Sequence, residues 1–527
     1  MATKTYDVVV AGGGHNGLTA AAYLSRAGLS VLVLERLDHV GGAAISAQAF
    51  EGFPTRLSRY SYLVSLLPEQ IRTDLGLDIE LGSRQTASYS PFLDGTDPTG
   101  LLVETPEGEA TAASFRAATG SDDEYAAWQS FYAEVATLAA VVAPTLTDPL
   151  PTGSALKARL GAESRIWRDL VERPLGEAIE RRFSDDLVRG VVATDALIGT
   201  FAGLGDPSLI QNRCFLYHLI GNGTGEWRVP VGGMGAVTGA ITKAARAGGA
   251  EILTSARVTS IRGGASGEGA EVTWTDADGE HTVAAGHVLS GLAPFVLDGL
   301  LGRTPDPATK PQGAQLKINM LLDRLPRLRS GEDPKVAFAG TLHLGESYSQ
   351  IEKAYAEAAA GSVPTEMPGE VYCHSLTDPS ILGDVPAGTQ TLTYFGLHAP
   401  ASLFDDPATR EERKALALER AIASLDQHLV DPIASVVAHD PAGNACIEAK
   451  IPQEIEADLA MPGGHIFHGD LAWPWAPDDA DLSTPAARWG VATDIGSVLL
   501  CGSGARRGGA VSGLGGHNAA QAILELR

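Results

Sequence analysis

The chain has 527 residues, of which 44% are hydrophobic and 20% charged. Domains of roughly 100–200 residues are usual, so this length predicts two or three structural units around sizeable cores. A formal net charge of −25 repels phosphate backbones and anionic headgroups, which argues against a nucleic-acid partner, and no uncharged apolar run reaches the ~18 residues of a membrane-spanning helix.

The N-terminal "MATKTYDVVV" has no basic segment leading into an apolar one, so no export signal is read and a cytoplasmic protein is expected; peripheral membrane contact stays open. The first element is a buried strand at Tyr6–Ala11, rich in Val. Gly12-Gly13-Gly14-His15-Asn16-Gly17 follows it and fits G-x-G-x-x-G. "LTAAAYLSRAG" then reads as a small-residue helix closed by Gly28, and "LSVLVLE" as a second buried strand ending at Glu35. Each part of this unit has a physical use. Gly12 permits a tight turn, Gly14 lets a pyrophosphate approach the backbone, and Gly17 lets helix and sheet pack closely. The unpaired amides at the helix start, with the helix dipole, favour phosphate charge. Glu35 accepts hydrogen bonds from ribose hydroxyls and repels a 2′-phosphate, which disfavours NADP. His15 and Asn16 belong to the cofactor set by position, with no chemistry assigned to their side chains.

The motif alone does not separate FAD from NAD. Gly41-Gly42, shortly after Arg36 and just before Ala43, marks a second close approach of backbone to cofactor beyond the first unit. With "FPTRLSRYSYLVSLL" after them, these segments resemble the phytoene desaturase-like flavoproteins, nearest to the branch of pyridine nucleotide-disulphide oxidoreductase domain-containing protein 2. The resemblance is strong over about the first 75 residues and roughly the last 30. It implies FAD as the cofactor, held by residues that include Arg36 and Ala43. Arg59, Tyr60 and Tyr62 match the family's SR-x-SY segment and are expected beside the cavity. Carotenoid desaturases often carry Arg where this chain has Ala43, and that departure weakens the transfer of carotenoid chemistry.

Further along, "SDDEYAAWQSFYAEVATLAAVV" reads as a capped amphipathic helix. "WRVPVGGMG" resembles the family's return to the cofactor domain and leads into the helix "AVTGAITKAARAGG". "AEILTSARVTSI" reads as one strand, whose Val258 the family places at the adenine end. "EVTWTDADGEHTVAAGHVLSG" reads as a hairpin turning at Asp278-Gly279. "TQTLTYFGLHA" reads as a strand of a second, substrate-side layer. Cys214, Cys373, Cys446 and Cys501 are scattered with no C-x-x-C, as for small buried hydrophobes. His465 and His468 lack the partners of a closed metal site, so no metal is expected.

Near the C-terminus, "SVLL" is a strand and "CGSGARRGG" looks like a second dinucleotide fingerprint. Only 18 residues follow Gly509, too few for a helix and a further parallel strand. The segment is better read as closing the first site, with Gly502, Gly513 and His517 near the cofactor and Arg506 and Arg507 beside the turn. "GLGGHNA" repeats the Gly-His-Asn of the opening motif at the start of a terminal helix. In the resembled proteins that helix points at the pyrimidine edge of the flavin, where it would stabilise the charge that reduction creates.

The expected fold is therefore α/β: a discontinuous Rossmann-like, glutathione-reductase-type FAD domain (residues 1–75, 226–300 and 446–527) with an inserted sheet-and-helix substrate domain (76–225 and 301–445). The expected function is an FAD-dependent oxidoreductase. The resemblance implies hydride transfer between flavin N5 and a carbon of an apolar isoprenoid, polyene or lipid-like substrate, making, saturating or isomerising C=C bonds. A flavin amine oxidase and a non-catalytic, flavin-stabilised interaction protein are the alternatives. No catalytic acid or base is assigned, and the electron acceptor is left open among oxygen, a quinone or another carrier.

Overall fold

In the computed structural model, which describes residues 5–265 and 267–527, two seven-stranded sheets organise the chain. The cofactor-side sheet is built around the first strand, Thr5–Ala11. Val8, Val9, Val10 and Ala11 are fully buried, because the strand has a parallel neighbour on each side: Val31–Leu34 and the long strand Gly279–Ser290. Glu251–Leu253 extends the sheet beyond Val31–Leu34. On the other side, Ala270–Asp276 pairs with the first half of Gly279–Ser290, and Val498–Leu500 pairs with its end. The sheet thus draws on the start, middle and end of the chain, as a discontinuous domain requires.

The segment expected as one strand at 250–261 is two. Ser255 adopts a left-handed backbone (φ 54°), and the chain crosses there from Glu251–Leu253 to Arg257–Gly263 on the opposite edge. The amides of Ser255 and Ala256 bond the carbonyls of Leu37 and Glu35 during the crossing (2.7 and 2.8 Å). This is how Val258 comes to lie beside the cofactor-side loops.

The second sheet runs in the order 447–450, 316–322, 390–396, 369–372, 341–344, 86–94, 97–104, and all its pairings are antiparallel except 341–344 with 86–94. Ile447–Lys450 is its edge strand, so the chain returns to the cofactor side after this strand and not at 446. Helices cover the layer. In Asp123–Val142, Trp128, Phe131, Val135, Leu138 and Val142 are buried, the three-then-four spacing of one helix face. The N-cap of this helix is Asp122, whose side chain makes no capping bond; the preceding Ser121 hydroxyl accepts from the Asp123 amide instead (3.0 Å). No helix among the described residues is long and apolar enough to cross a membrane.

The terminal helix, Leu514–Leu524, packs on the opening helix, His15–Arg26. Gly516 is the contact: a Cβ there would overlap the carbonyl oxygen of Asn16 and come within 2.8 Å of the Ala20 amide nitrogen. Backbone faces backbone, so neither side can yield as a flexible side chain would. Gly516→Ala is therefore expected to destabilise the protein by about 3 kcal/mol, at the upper end of overpacking costs. A lower urea midpoint with an unchanged slope will show it.

Candidate active site

The opening helix begins at His15 with Gly14 as its N-cap. Gly12 sits at φ +101°, which closes the turn between strand and helix. A Cβ on Gly17 would overlap the Gly12 carbonyl oxygen, so its role in close packing holds. A cavity of about 340 Å³ opens above this turn, lined by Gly12, Gly14, His15, Asn16, Gly17, Glu35, Arg36, Gly42, Ala43, Val258 and Gly502 among others. Eleven of the fourteen residues assigned to the cofactor from sequence therefore meet in one place.

Several features of the cavity fit a dinucleotide. A Cβ on Gly14 would touch nothing within 4 Å and would project into open space at the helix N-terminus, where a pyrophosphate is favoured. Glu35 is held in place by the amides of Gly13 (2.8 Å) and Leu37 (2.9 Å), which leaves the outer lone pairs of its carboxylate for ribose hydroxyls. Asn16 donates to the Gly508 carbonyl (3.0 Å), while its side-chain oxygen is buried without a partner. That oxygen is ready to accept a hydroxyl of the cofactor chain.

Three residues of the expected set lie outside this lining. Gly41 supports it from behind: its amide bonds the Gly13 carbonyl (2.9 Å), and Gly42 packs on Gly14. Gly513 is the N-cap of the terminal helix and packs toward Thr19. His517 turns away from the site, its ring set against Tyr23 and Trp489 (5.1 and 5.9 Å). The close packing at Gly516 fixes the rotation of that helix and carries His517 to the far side. The C-terminal segment lines the cradle through Gly502 and Ser503, and an adjoining cavity through Ala510 and Val511.

A second cavity, about 530 Å³, continues from the first. His15, Ala43, Leu459, Met461 and Ser503 line both. His15 bonds the Ala510 carbonyl (3.0 Å), and burial lowers its pKa to about 4, so it is neutral. Tyr60 and Tyr62 line this cavity as expected. Arg59 does not; it pairs with Glu448. Arg506 and Arg507 are also structural. Arg506 donates to the Trp475 carbonyl (2.9 Å), and Arg507, almost fully buried, donates to the carbonyls of Pro474, Leu146 and Asp148. Together they pin the 473–475 loop against the glycine-rich turn at 502–509.

The second cavity also exposes groups that motif reading passed over. Lys317 lies in the wholly buried strand Leu316–Leu322, is 2% exposed, and has no hydrogen-bond partner for Nζ. Nζ stands 3.9 Å from the centre of the Tyr62 ring. Burial holds its pKa well below the ordinary lysine range, with only Glu448 acting the other way. Tyr62 packs on Tyr372 and His374 (4.8 and 5.3 Å), and Tyr372 donates to Glu370. Glu370 also accepts from Thr194 (3.3 Å). Burial, then the charge of Glu346, raises its pKa to about 8. Glu346 pairs with His343 at 2.5 Å. His343, Glu346 and Glu370 present ligand atoms within 4.8 Å of one another, yet each is already engaged by a neighbour, as a structural polar cluster requires. One signal for Lys317 was present in the sequence: a lone cation in "LKINMLL", an otherwise uncharged strand.

Comparison with known proteins agrees with this geometry. The family profile described as flavin containing amine oxidoreductase matches residues 17–326, more than half the chain. An uncharacterized protein of Mycobacterium tuberculosis is 50% identical over 531 residues, covering 99% of this chain and 97% of that one. Pyridine nucleotide-disulfide oxidoreductase domain-containing protein 2 of Mus musculus is 29% identical, covering 98% and 93%. Among solved structures, a redesigned putrescine oxidase superposes with a TM-score of 0.58 at 20% identity over 100% of both chains, a similarity of fold.

Proposed function

The chain belongs to the flavin-containing amine oxidoreductases and is an FAD-dependent oxidoreductase, and we propose that it dehydrogenates a substrate at a carbon bearing an amine nitrogen. The observation that carries this reading is Lys317, an amine buried without a hydrogen-bond partner against Tyr62 in the wall of the cavity that continues from the cofactor cradle. The apolar isoprenoid or lipid substrate expected from resemblance fits this wall less well. Asp195 and Lys317 both line it with no hydrogen-bond partner among the described residues, and a hydrocarbon would leave these two groups desolvated without partners.

Bound FAD supplies the acceptor for the hydride that leaves the substrate carbon. The chain's own residues handle the remainder. Tyr62 and Tyr372 offer flat faces on which an amine can lie. Lys317 Nζ, whose burial holds its pKa below the ordinary lysine range and which has no hydrogen-bond partner, is placed to take the proton that an ammonium substrate must lose before oxidation. Leu459, Met461 and Ser503, shared by both cavities, stand between the cradle and the substrate space.

The purified yellow protein, mixed anaerobically with a panel of amines and a panel of polyenes, should bleach with amines only. Bleaching by polyenes and by no amine would restore the C=C chemistry and overturn the proposal.

A further inference from the structure

Two interior charges of opposite sign face the substrate cavity with no ion pair. Asp195 follows directly on the helix Asp186–Thr194 as its C-cap. Among the described residues its carboxylate accepts no hydrogen bond and forms no salt bridge, and its side chain opens on the cavity. The position is doubly unfavourable: a carboxylate stands at the negative end of a helix dipole and is desolvated without a donor. Burial, first of all, raises its pKa. The charges of His218, His343 and Arg84 act the other way, but none of these groups bonds the carboxylate. Arg84 reaches the same cavity. It donates to the Trp227 carbonyl (3.2 Å) and the Thr341 hydroxyl (3.0 Å) but to no carboxylate. The Tyr132 hydroxyl, also on the cavity, has no hydrogen bond.

The neighbouring charges are already matched. His343 is paired with Glu346, Glu370 is held by Tyr372 and Thr194, and Glu226 is paired with Arg228. A simple cation would satisfy Asp195 and leave Arg84 facing it. A simple anion would do the reverse. Only a group carrying both charges satisfies both residues while leaving the cavity neutral.

We propose that Asp195 and Arg84 form a subsite for the zwitterionic head, an ammonium and a carboxylate together, of a substrate whose reacting amine lies at its other end. Asp195, assisted by the Tyr132 hydroxyl, takes the ammonium, and Arg84 takes the carboxylate. The inference rests on the amine reading above and narrows it to substrates of amino-acid type.

Four probes of matched chain length isolate the two charges: lysine carries both at its head, cadaverine only the cation, aminohexanoate only the anion, and pentylamine neither. Binding to the oxidised holoprotein is followed by perturbation of the flavin spectrum. Lysine should bind about tenfold or more tighter than each of the others. Asp195→Asn should bring lysine down toward aminohexanoate, and Arg84→Gln should bring it down toward cadaverine. Asp195→Asn should also raise the melting temperature of the ligand-free protein, which a structural aspartate would not do. Equal binding of the four probes, no binding of any, or a lysine preference that survives both substitutions overturns the subsite. If lysine shows the expected dependence but no amine reduces the flavin, the subsite stands and the amine chemistry falls. If amines reduce the flavin irrespective of Asp195 and Arg84, the amine chemistry stands and the subsite falls.

Discussion

Gly14→Val should yield a folded, colourless protein. Gly14 has an extended backbone (φ −71°, ψ 170°) that a β-branched residue adopts without strain, and a Cβ there meets nothing within 4 Å. The fold has no objection to the side chain. The cofactor does, because the methyl groups would occupy the space over the helix N-terminus where the pyrophosphate belongs. A loss of about 3 kcal/mol or more in binding, roughly a hundredfold or more in Kd, is expected. The ligand-free variant should melt with the ligand-free wild type, whereas the stabilisation that excess FAD gives the wild type should vanish. Gly17→Ala is the contrasting case. Its Cβ would overlap the Gly12 carbonyl oxygen within the turn, so fold and flavin should be lost together. Normal flavin content in Gly14→Val would show that the cavity above the fingerprint is not the cradle.

What the sequence revealed divides along a physical line. The cofactor cradle was legible because backbone approach needs glycines at fixed spacing after a strand, and because Glu35 directly follows the second strand; local chemistry encodes the site. The terminal helix was half legible. Its glycines announced a helix start, but the rotation that sends His517 against Tyr23 depends on Gly516 meeting the opening helix, a contact across 500 positions. The break at Ser255 was hidden because a left-handed non-glycine residue leaves no compositional mark. The substrate wall was least legible. Asp195, Arg84, Lys317 and Glu370 come from separate elements, and no spacing relates them.

The second large effect is expected at Lys317, where function and stability should move in opposite directions. Lysine and methionine have similar length, and a thioether adapts to irregular space, so Lys317→Met keeps the packing of Leu316–Leu322 while removing a buried amine that has no partner. Leaving such a group unsatisfied costs about 1–3 kcal/mol, and the variant should be more stable than the wild type at neutral pH. The pH dependence identifies the cause. The folded-state pKa is depressed, so the unfolded chain binds a proton that the native protein releases. The wild type therefore loses stability as pH falls below the ordinary lysine range toward the folded value, by at most about 1.4 kcal/mol per unit. The advantage of the methionine variant should accordingly shrink between pH 7 and pH 9. FAD should remain bound, since Lys317 is absent from the cradle lining. Reduction of the flavin by the amine that bleaches the wild type should slow by about a hundredfold or more, as when a proton acceptor is removed. Melting curves across pH and stopped-flow absorbance measure the two arms. A destabilised variant that reduces its flavin at the wild-type rate would make Lys317 a packing residue and remove the proton acceptor from the proposed chemistry.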